Sequence, residues 1–341
     1  MTIYDIAEKL KLSASTISRG LQDHPAINKK TKKKIFETAN SMGYRFNNFA
    51  RNLRIQKTNT IGVIVPRLNS YFISAVLAGI EKEVNGAGYN LLISQSLESV
   101  EKEAAYAKTM MHNRVDGLIV ALASTTKNLE HFEPFVRHNV PLLFVDRVIE
   151  EDKHIKVVIN NFKAGYDVTS HLIQQGCRTI VHVTGNLLRN VYHERKLGYE
   201  QALKDNKITV DQSLIFENDL SEAAAVEVAN TLLKMKKLPD GIFVSNDFCA
   251  AICMNTLKQA GIKIPKDIAV AGFNNDVTSR IVEPALTTIN YPGQEMGEVV
   301  AKHLINHLNG KMDLNLTNTI ILKSELVIRE SSLRKDSQKK I

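Results

Sequence analysis

The sequence predicts two architectures in one chain: an all-α helix-turn-helix head, then a longer α/β body of parallel, doubly wound sheets. Three observations lead there. The 341 residues are too many for a single core. Residues 1–60 hold twelve Lys and Arg against four Asp and Glu, which is the whole net charge of +8, while the remaining residues carry 32 of each sign. Apolar residues in the first 45 positions recur at helical spacing, whereas after Thr58 short apolar runs alternate with longer amphipathic ones.

The head reads as three helices. "TIYDIAEKL" opens with Thr2 and Asp5 in capping-box spacing, and Ile3, Ile6, Ala7 and Leu10 share a face. After the turn "KLS" stands "SASTISRG", which has the composition of a loop because short hydroxyl side chains compete for backbone hydrogen bonds. The Ile17–Leu21 spacing and the Ser13 cap make it a helix from about Ala14 to Gln22. Asn28 caps a third helix with an apolar stripe of Ile35, Phe36, Ala39 and Met42, and Gly43 ends it. Lys29, Lys30, Lys32, Lys33 and Lys34 crowd its first turns, where cations oppose the helix dipole and an anion such as DNA phosphate relieves the cost. A basic head on a neutral body is an electrostatic footprint for nucleic acid; a merely solvated basic face is the plain alternative. Small residues on the second helix give clearance for entry into a major groove, and Arg19 is the long donor there, suited to guanine. Next comes "RFNNFARNLR", in which Ala50 and Leu53 share a face of a helix too short to be stable alone.

The body offers the strands "TIGVIV", "NLLIS", "GLIVAL", "PLLFV", "VVIN", "TIVHVTG", "GIFVS" and "IAVAGFN", with helical stretches between most of them. Ligands of such sheets bind at the carboxyl ends of the strands. Polar residues collect there: Asp146, Arg147, Asn160, Arg189, Arg195, Asn246, Asp247 and Asn274. Each alone is ordinary for a loop. Together they are the hydrogen-bonding forks that a polyhydroxylated ring requires. No GxGxxG or P-loop occurs, so neither a dinucleotide nor a nucleoside triphosphate is expected. Cys177, Cys249 and Cys253 form no CxxC, and His112, His131, His138, His182 and His193 have no metal spacing, so no metal and no cofactor is expected. No GxSxG or acid–base constellation is present, and the chain is read as no enzyme. With no apolar run long enough for a membrane and no signal-peptide pattern at "MTIYDIAEKL", a cytoplasmic location is expected.

"TIYDIAEKLKLSASTISRGLQ" followed by "TKKKIFETANSMGYRFNNFARNLR" resembles the head and hinge of the lactose-repressor (LacI/GalR) family of bacterial transcription regulators. The likeness continues through "TNTIGVIVP", "RVDGLIV", "PLLFVDR", "VSNDFCAA", "PALTTI" and "ELVIRES", so it covers almost the whole chain. It implies a DNA-binding domain over residues 1–46, a hinge over 47–58 and an effector-binding and dimerisation domain over 59–333. That domain would be a two-lobed, periplasmic-binding-protein-like sensor. Lobe one would hold 60–159 and 292–319, lobe two 160–290 and 320–333, and 334–341 would be an unstructured basic tail.

The resemblance also implies roles. Ala14, Ser15 and Arg19 would face bases. Thr2, Tyr4, Ser13, Thr16 and Ser18 would hold phosphates. Ala50 and Leu53 would enter the minor groove, with Leu53 as a wedge. Asp146, Arg195, Asn246 and Asn274 would touch the effector. Independently of the resemblance, the rings of Tyr71 and Phe72 in "NSYFIS", on the side of the first lobe, are suited to stack on a sugar ring. The implied function is a ligand-responsive regulator, a repressor, acting as a homodimer on pseudo-palindromic double-stranded operator DNA. Two departures stand out: Phe46 replaces a frequent proline, and Asn274 replaces a frequent aspartate. With Arg147, Arg189 and Arg195 near Asn274, the expected effector is a sugar or sugar derivative, uronates and sugar phosphates included. A solute-binding transport protein would share the body, but not the basic head.

Overall fold

A computed structural model describes residues 2–21, 23–44, 57–149 and 153–334. Contacts divide the chain into two units, Met1–Thr58 and Asn59–Ile341.

The first unit contains α1 (Ile3–Leu10), α2 (Ala14–Leu21) and α3 (Lys29–Ser41). Its caps follow from the sequence. The Thr2 N–H donates to Asp5 Oδ2 at 2.7 Å, Thr16 N–H donates to Ser13 Oγ at 3.1 Å, and Thr31 N–H donates to Asn28 Oδ1 at 2.8 Å. Lys11, left-handed at φ 52°, ends α1. Ile6, Ile17 and Ile35 are fully buried, with Ala7, Leu21 and Ala39 around them. Gly20 brings α2 against α3, since a Cβ there would lie 2.4 Å from Ile35 Cδ1. Phe36 departs from its assignment: it is exposed, because the buried stripe runs through Ile35 and Ala39, and position 36 lies about 100° around the helix. Gln22, Phe46, Ala50 and Leu53 lie outside the described residues.

The second unit begins with β1 (Thr60–Val65), α4 (Tyr71–Gly86), β2 (Asn90–Gln95), α5 (Val100–His112), β3 (Gly117–Val120), α6 (Glu133–Arg137), β4 (Leu142–Val145) and β5 (Lys156–Ile159). It continues with α7 (Asn161–Gln174), β6 (Ile180–Thr184), α8 (Asn190–Asp205), β7 (Ile215–Glu217), α9 (Glu222–Leu233), β8 (Gly241–Val244), α10 (Asp247–Gln259) and β9 (Ala269–Ala271). Then come α11 (Val277–Ile281), β10 (Thr288–Asn290), α12 (Gly293–Leu308), β11 (Thr319–Leu322) and β12 (Glu325–Val327).

Two parallel sheets result, ordered β11-β5-β4-β3-β1-β2 and β7-β6-β8-β9, with β10 and β12 as a separate antiparallel pair. The fully buried runs Ile61–Val65 and Gly117–Val120 reflect helices packed on both faces. Helix pairs close over the sheets at glycines. A Cβ on Gly198 would sit 2.1 Å from Phe162 O, and one on Gly165 would sit 2.3 Å from Arg195 O, so α7 and α8 touch backbone to backbone. This contact fixes the turn of α8 that carries Arg195.

Two sequence boundaries move, and four strands are added. β11 pairs with β5 from Thr319 to Leu322, so the final change of lobe falls beyond Leu322 and not at 319. β7, β10, β11 and β12 add to the candidate strands; they have three or four residues each, too short to show a period. Arg334 is no tail residue: its Nε donates to Pro265 O at 3.0 Å and its N–H to Gln175 Oε1 at 3.1 Å.

Candidate functional site

On the head, Ser15 and Arg19 are exposed on α2, as are Thr2, Tyr4 and Ser13 nearby. Thr16 and Ser18 are half-buried. Ala14 is also half-buried and packs on the head's own core. Ser13 Oγ lies 2.8 Å from both Ser15 Oγ and Thr16 Oγ1, which holds the three hydroxyls at the start of α2 as one cluster. The lysines of α3 separate into two kinds. Lys29, Lys30, Lys33 and Lys34 are exposed, whereas Lys32 pairs with Asp23 at 2.6 Å and donates to Asp23 O at 2.9 Å.

In the body, a cavity of about 940 Å³ opens at the carboxyl ends of both parallel sheets. In the first sheet β2 and β3 leave β1 in opposite directions, and in the second β7 and β8 do the same around β6. Both are switch points of the kind where open α/β sheets form crevices. Of the effector residues taken from the sequence, Tyr71, Phe72, Asp146, Arg147, Arg195, Asn246 and Asn274 line this cavity.

These side chains are held firmly. Arg147 Nη1 donates to both Glu98 oxygens, at 2.7 and 3.0 Å, and its Nη2 donates to Tyr192 Oη at 3.1 Å. Burial disfavours the Glu98 charge, but the Arg147 guanidinium overrides this and holds the carboxyl below the usual range. Arg195 Nε donates to Asn161 Oδ1 at 2.9 Å and Nη1 to Ser245 O at 3.2 Å, while its guanidinium lies 3.5 Å from the centre of the Phe273 ring. Tyr291 donates to Asp146 Oδ1 and stacks on Phe72 with ring centres 4.2 Å apart. Burial pushes the Asp146 carboxyl above its ordinary value, against the pull of Arg147, Tyr291 and Arg195. Asp146 at φ 63° and Asn274 at φ 120° both have left-handed backbones, which aim their side chains at the cost of local strain.

Three assigned residues do not line the cavity. Asn160 caps α7, its Oδ1 accepting from Lys163 N–H at 2.8 Å. Arg189 is only 1% exposed and donates through Nη2 to Thr126 O, so it ties the start of α8 to the first lobe. Asp247 lies beneath the wall, its Oδ1 accepting from Thr288 Oγ1 at 2.7 Å and its Oδ2 from Asp276 N–H at 2.8 Å. A position just after a strand is visible in a sequence; the direction a side chain takes from it is not. With Arg189 withdrawn and Arg147 matched by Glu98, the basic surplus expected for an anionic ligand is not present.

The profile of the lacI family of bacterial regulatory proteins matches residues 2–47, and that of a periplasmic binding protein-like domain matches residues 169–332. Catabolite control protein A of Priestia megaterium is 31% identical over 310 residues, which is 91% of this chain and 93% of the relative. The chain belongs to the lacI family. It is accordingly a DNA-binding transcription regulator. The lac repressor dimer bound to operator and an anti-inducer shares the fold, with a TM-score of 0.87 at 23% identity over 98% of this chain and 99% of that one. A periplasmic binding protein/LacI regulator from Alkaliphilus metalliredigens, solved with D-xylulofuranose, has a TM-score of 0.69 at 26% identity over 81% of this chain and 100% of that one.

In this lacI-family chain the cavity also takes residues that the sequence does not single out. Tyr192 stands three positions before Arg195, a spacing that puts both on one face of α8, and that is the one local signal for it. Tyr291 follows a three-residue strand and has no local signature. Among the described residues no helix is long and apolar enough to cross a membrane, and no three His, Cys, Asp or Glu are grouped to hold a metal.

Proposed function

We propose that this regulator is a cytoplasmic, homodimeric repressor of pseudo-palindromic operators, controlled by a small polyhydroxylated effector, a sugar or sugar derivative, bound in the cleft. The carrying observation is the cavity of about 940 Å³ between two parallel sheets, which combines fixed guanidiniums, amides and carboxyls with the rings of Tyr71, Tyr192 and Phe248. Polar forks give direction to hydroxyls, and rings cover the apolar face of a sugar. The Alkaliphilus neighbour with its bound ketose supports the same class of ligand. Arg19 and Ser15 read bases, and Thr2, Tyr4, Ser13, Thr16 and Ser18 meet phosphate, with Ala50 and Leu53 at the minor groove. Two copies are needed because one short recognition helix contacts too few base pairs for a specific site.

The test is selection of bound DNA from a random pool, followed by anisotropy titrations of the selected duplex with and without candidate sugars. The expected result is an inverted repeat whose affinity changes with a sugar, and a reciprocal, equal change in sugar affinity when DNA is bound. A selected site without two-fold symmetry would remove the dimer. Equal operator affinity at saturating ligand would remove the control.

A further inference from the structure

We propose that the cleft discriminates by charge, taking a ligand with an amino group turned to the second-lobe wall and turning away carboxylated or phosphorylated ones. The inference rests on the reading of the cleft as the ligand site.

The two walls differ in electrostatic balance. Arg67, Arg147 and Arg195 all line the cavity, but Arg67 and Arg147 already face the Glu98 carboxyl, and Arg195 is held by other partners. Glu98 takes Arg147 at 2.7 Å and Arg67 at 3.6 Å. Arg195 commits Nε and Nη1 to Asn161 and the Ser245 carbonyl, and Asp146 acts on its charge. The second lobe adds Glu217, Asp219, Glu222 and Asp276 to the lining and no further cation. Three of these have local surroundings that suit an anion. Glu217 Oε1 accepts from Leu187 N–H at 3.1 Å, Asp219 Oδ1 accepts from Ser221 N–H at 2.9 Å, and Glu222 sits in the first turn of α9, where the helix dipole favours negative charge.

Asp276 is different, and it supplies the independent observation. It is 6% exposed, it lines the cavity, and it makes no ion pair with any described Lys, Arg or His. It precedes α11 without capping it, and among the described residues the polar group that favours its charge is the Asn274 side chain. Behind it stands a second acid, Asp247, which accepts the Asp276 N–H. A buried carboxylate without a cation carries a desolvation cost, and burial pushes this one up to about 6. An ammonium group from a ligand supplies the missing partner, whereas a carboxylate or phosphate adds a further like charge. Ser245, 2% exposed and also in the lining, has a buried hydroxyl with no partner among the described residues.

The experiment is calorimetry on the full chain at neutral pH. The probes are glucose, galactose, mannose and a β-linked glucose disaccharide, each as the neutral sugar, the 2-amino-2-deoxy sugar and the uronate. For any skeleton that binds, the amino form is expected to bind about tenfold or more tighter than the neutral form, and the uronate about tenfold or more weaker. Asp276→Asn is expected to reduce the amino-to-neutral ratio by about tenfold. A uronate binding as well as the neutral sugar, or a ratio unmoved by Asp276→Asn, overturns the charge discrimination and leaves the cleft reading standing. If no skeleton binds in any form, the cleft reading itself falls and takes this inference with it. Should Asp276→Asn not fold, the wild-type ratios alone decide.

Discussion

The head and the cleft place their polar side chains in opposite ways. On the head, Arg19 and four of the five α3 lysines project from a small apolar core and meet few protein partners. In the cleft, Arg147 and Arg195 are covered, and each is matched by a carboxyl, an amide, a carbonyl or a ring. The head keeps its charge uncancelled for a partner that brings anions. The cleft uses its charge internally, and what it offers a ligand is direction, shape and the acid surplus of one wall. Substituting Arg19 or one of the four exposed α3 lysines should therefore change binding without changing folding. In the cleft the two should change together.

The sharpest trial of this contrast is Arg195→Ala. It leaves Asn161 Oδ1 and the Ser245 carbonyl without their donor and uncovers the Phe273 ring, so a loss of about 3 kcal/mol is expected in urea denaturation. Ligand binding should be lost with it. A stability change below about 1 kcal/mol would mean that the cleft, like the head, carries its polar groups at little structural consequence.

The next effect in size depends on pH. Burial pushes Asp247 up to about 7, far above its ordinary 3.8. Its contribution to stability is thus fully present below pH 4 and is lost as pH rises through about 7, because the folded state resists releasing the proton that the unfolded chain gives up readily. Asparagine does not titrate. The stability of Asp247→Asn relative to wild type should therefore improve between pH 4 and pH 8, by roughly 2–4 kcal/mol, since each tenfold difference in proton affinity between folded and unfolded chain is worth about 1.4 kcal/mol. Asp23 on the head runs the other way. It is exposed, and its hydrogen bond and charge contact with Lys32 hold it below the usual range, so its contribution appears above pH 4 and fades on acidification. A pH-independent difference for Asp247→Asn would remove the contrast.

The same division governs what could be read in advance. The head is legible because its caps and stripes are local: Thr2 with Asp5, Ser13 with Thr16, Asn28 with Thr31 are all three residues apart. Phe36 misleads because an apolar residue beside a stripe looks like part of it. The cleft is assembled from the ends of strands far apart in the chain. Asp146 and Tyr291 meet across 145 positions, a relation that no local spacing records. Arg189 and Asp247 have the right residue types at strand ends, yet one reaches across to Thr126 and the other turns under the wall to Thr288.

Arg19→Ala tests the head directly. It should cost about 1–3 kcal/mol of discrimination at one base pair in each half-site and leave stability within about 0.5 kcal/mol. Smaller still, and more searching, is the comparison of Lys32→Ala with Lys33→Ala. In the sequence the two lysines are equivalent. In the structure Lys33 is exposed and only 4.0 Å from Glu37 at its nearest, while Lys32 is bound to Asp23 and to its carbonyl, holding the turn between α2 and α3. If Lys33 meets phosphate, its loss should lower the salt dependence of operator binding by about one counterion per subunit, for every DNA sequence alike. Loss of Lys32 should leave that slope nearly unchanged and appear instead as reduced stability of the head. Equal slopes for both variants would show that DNA draws Lys32 away from Asp23. The head would then hold a charge that is cancelled until its partner arrives, and in that respect it would resemble the cleft.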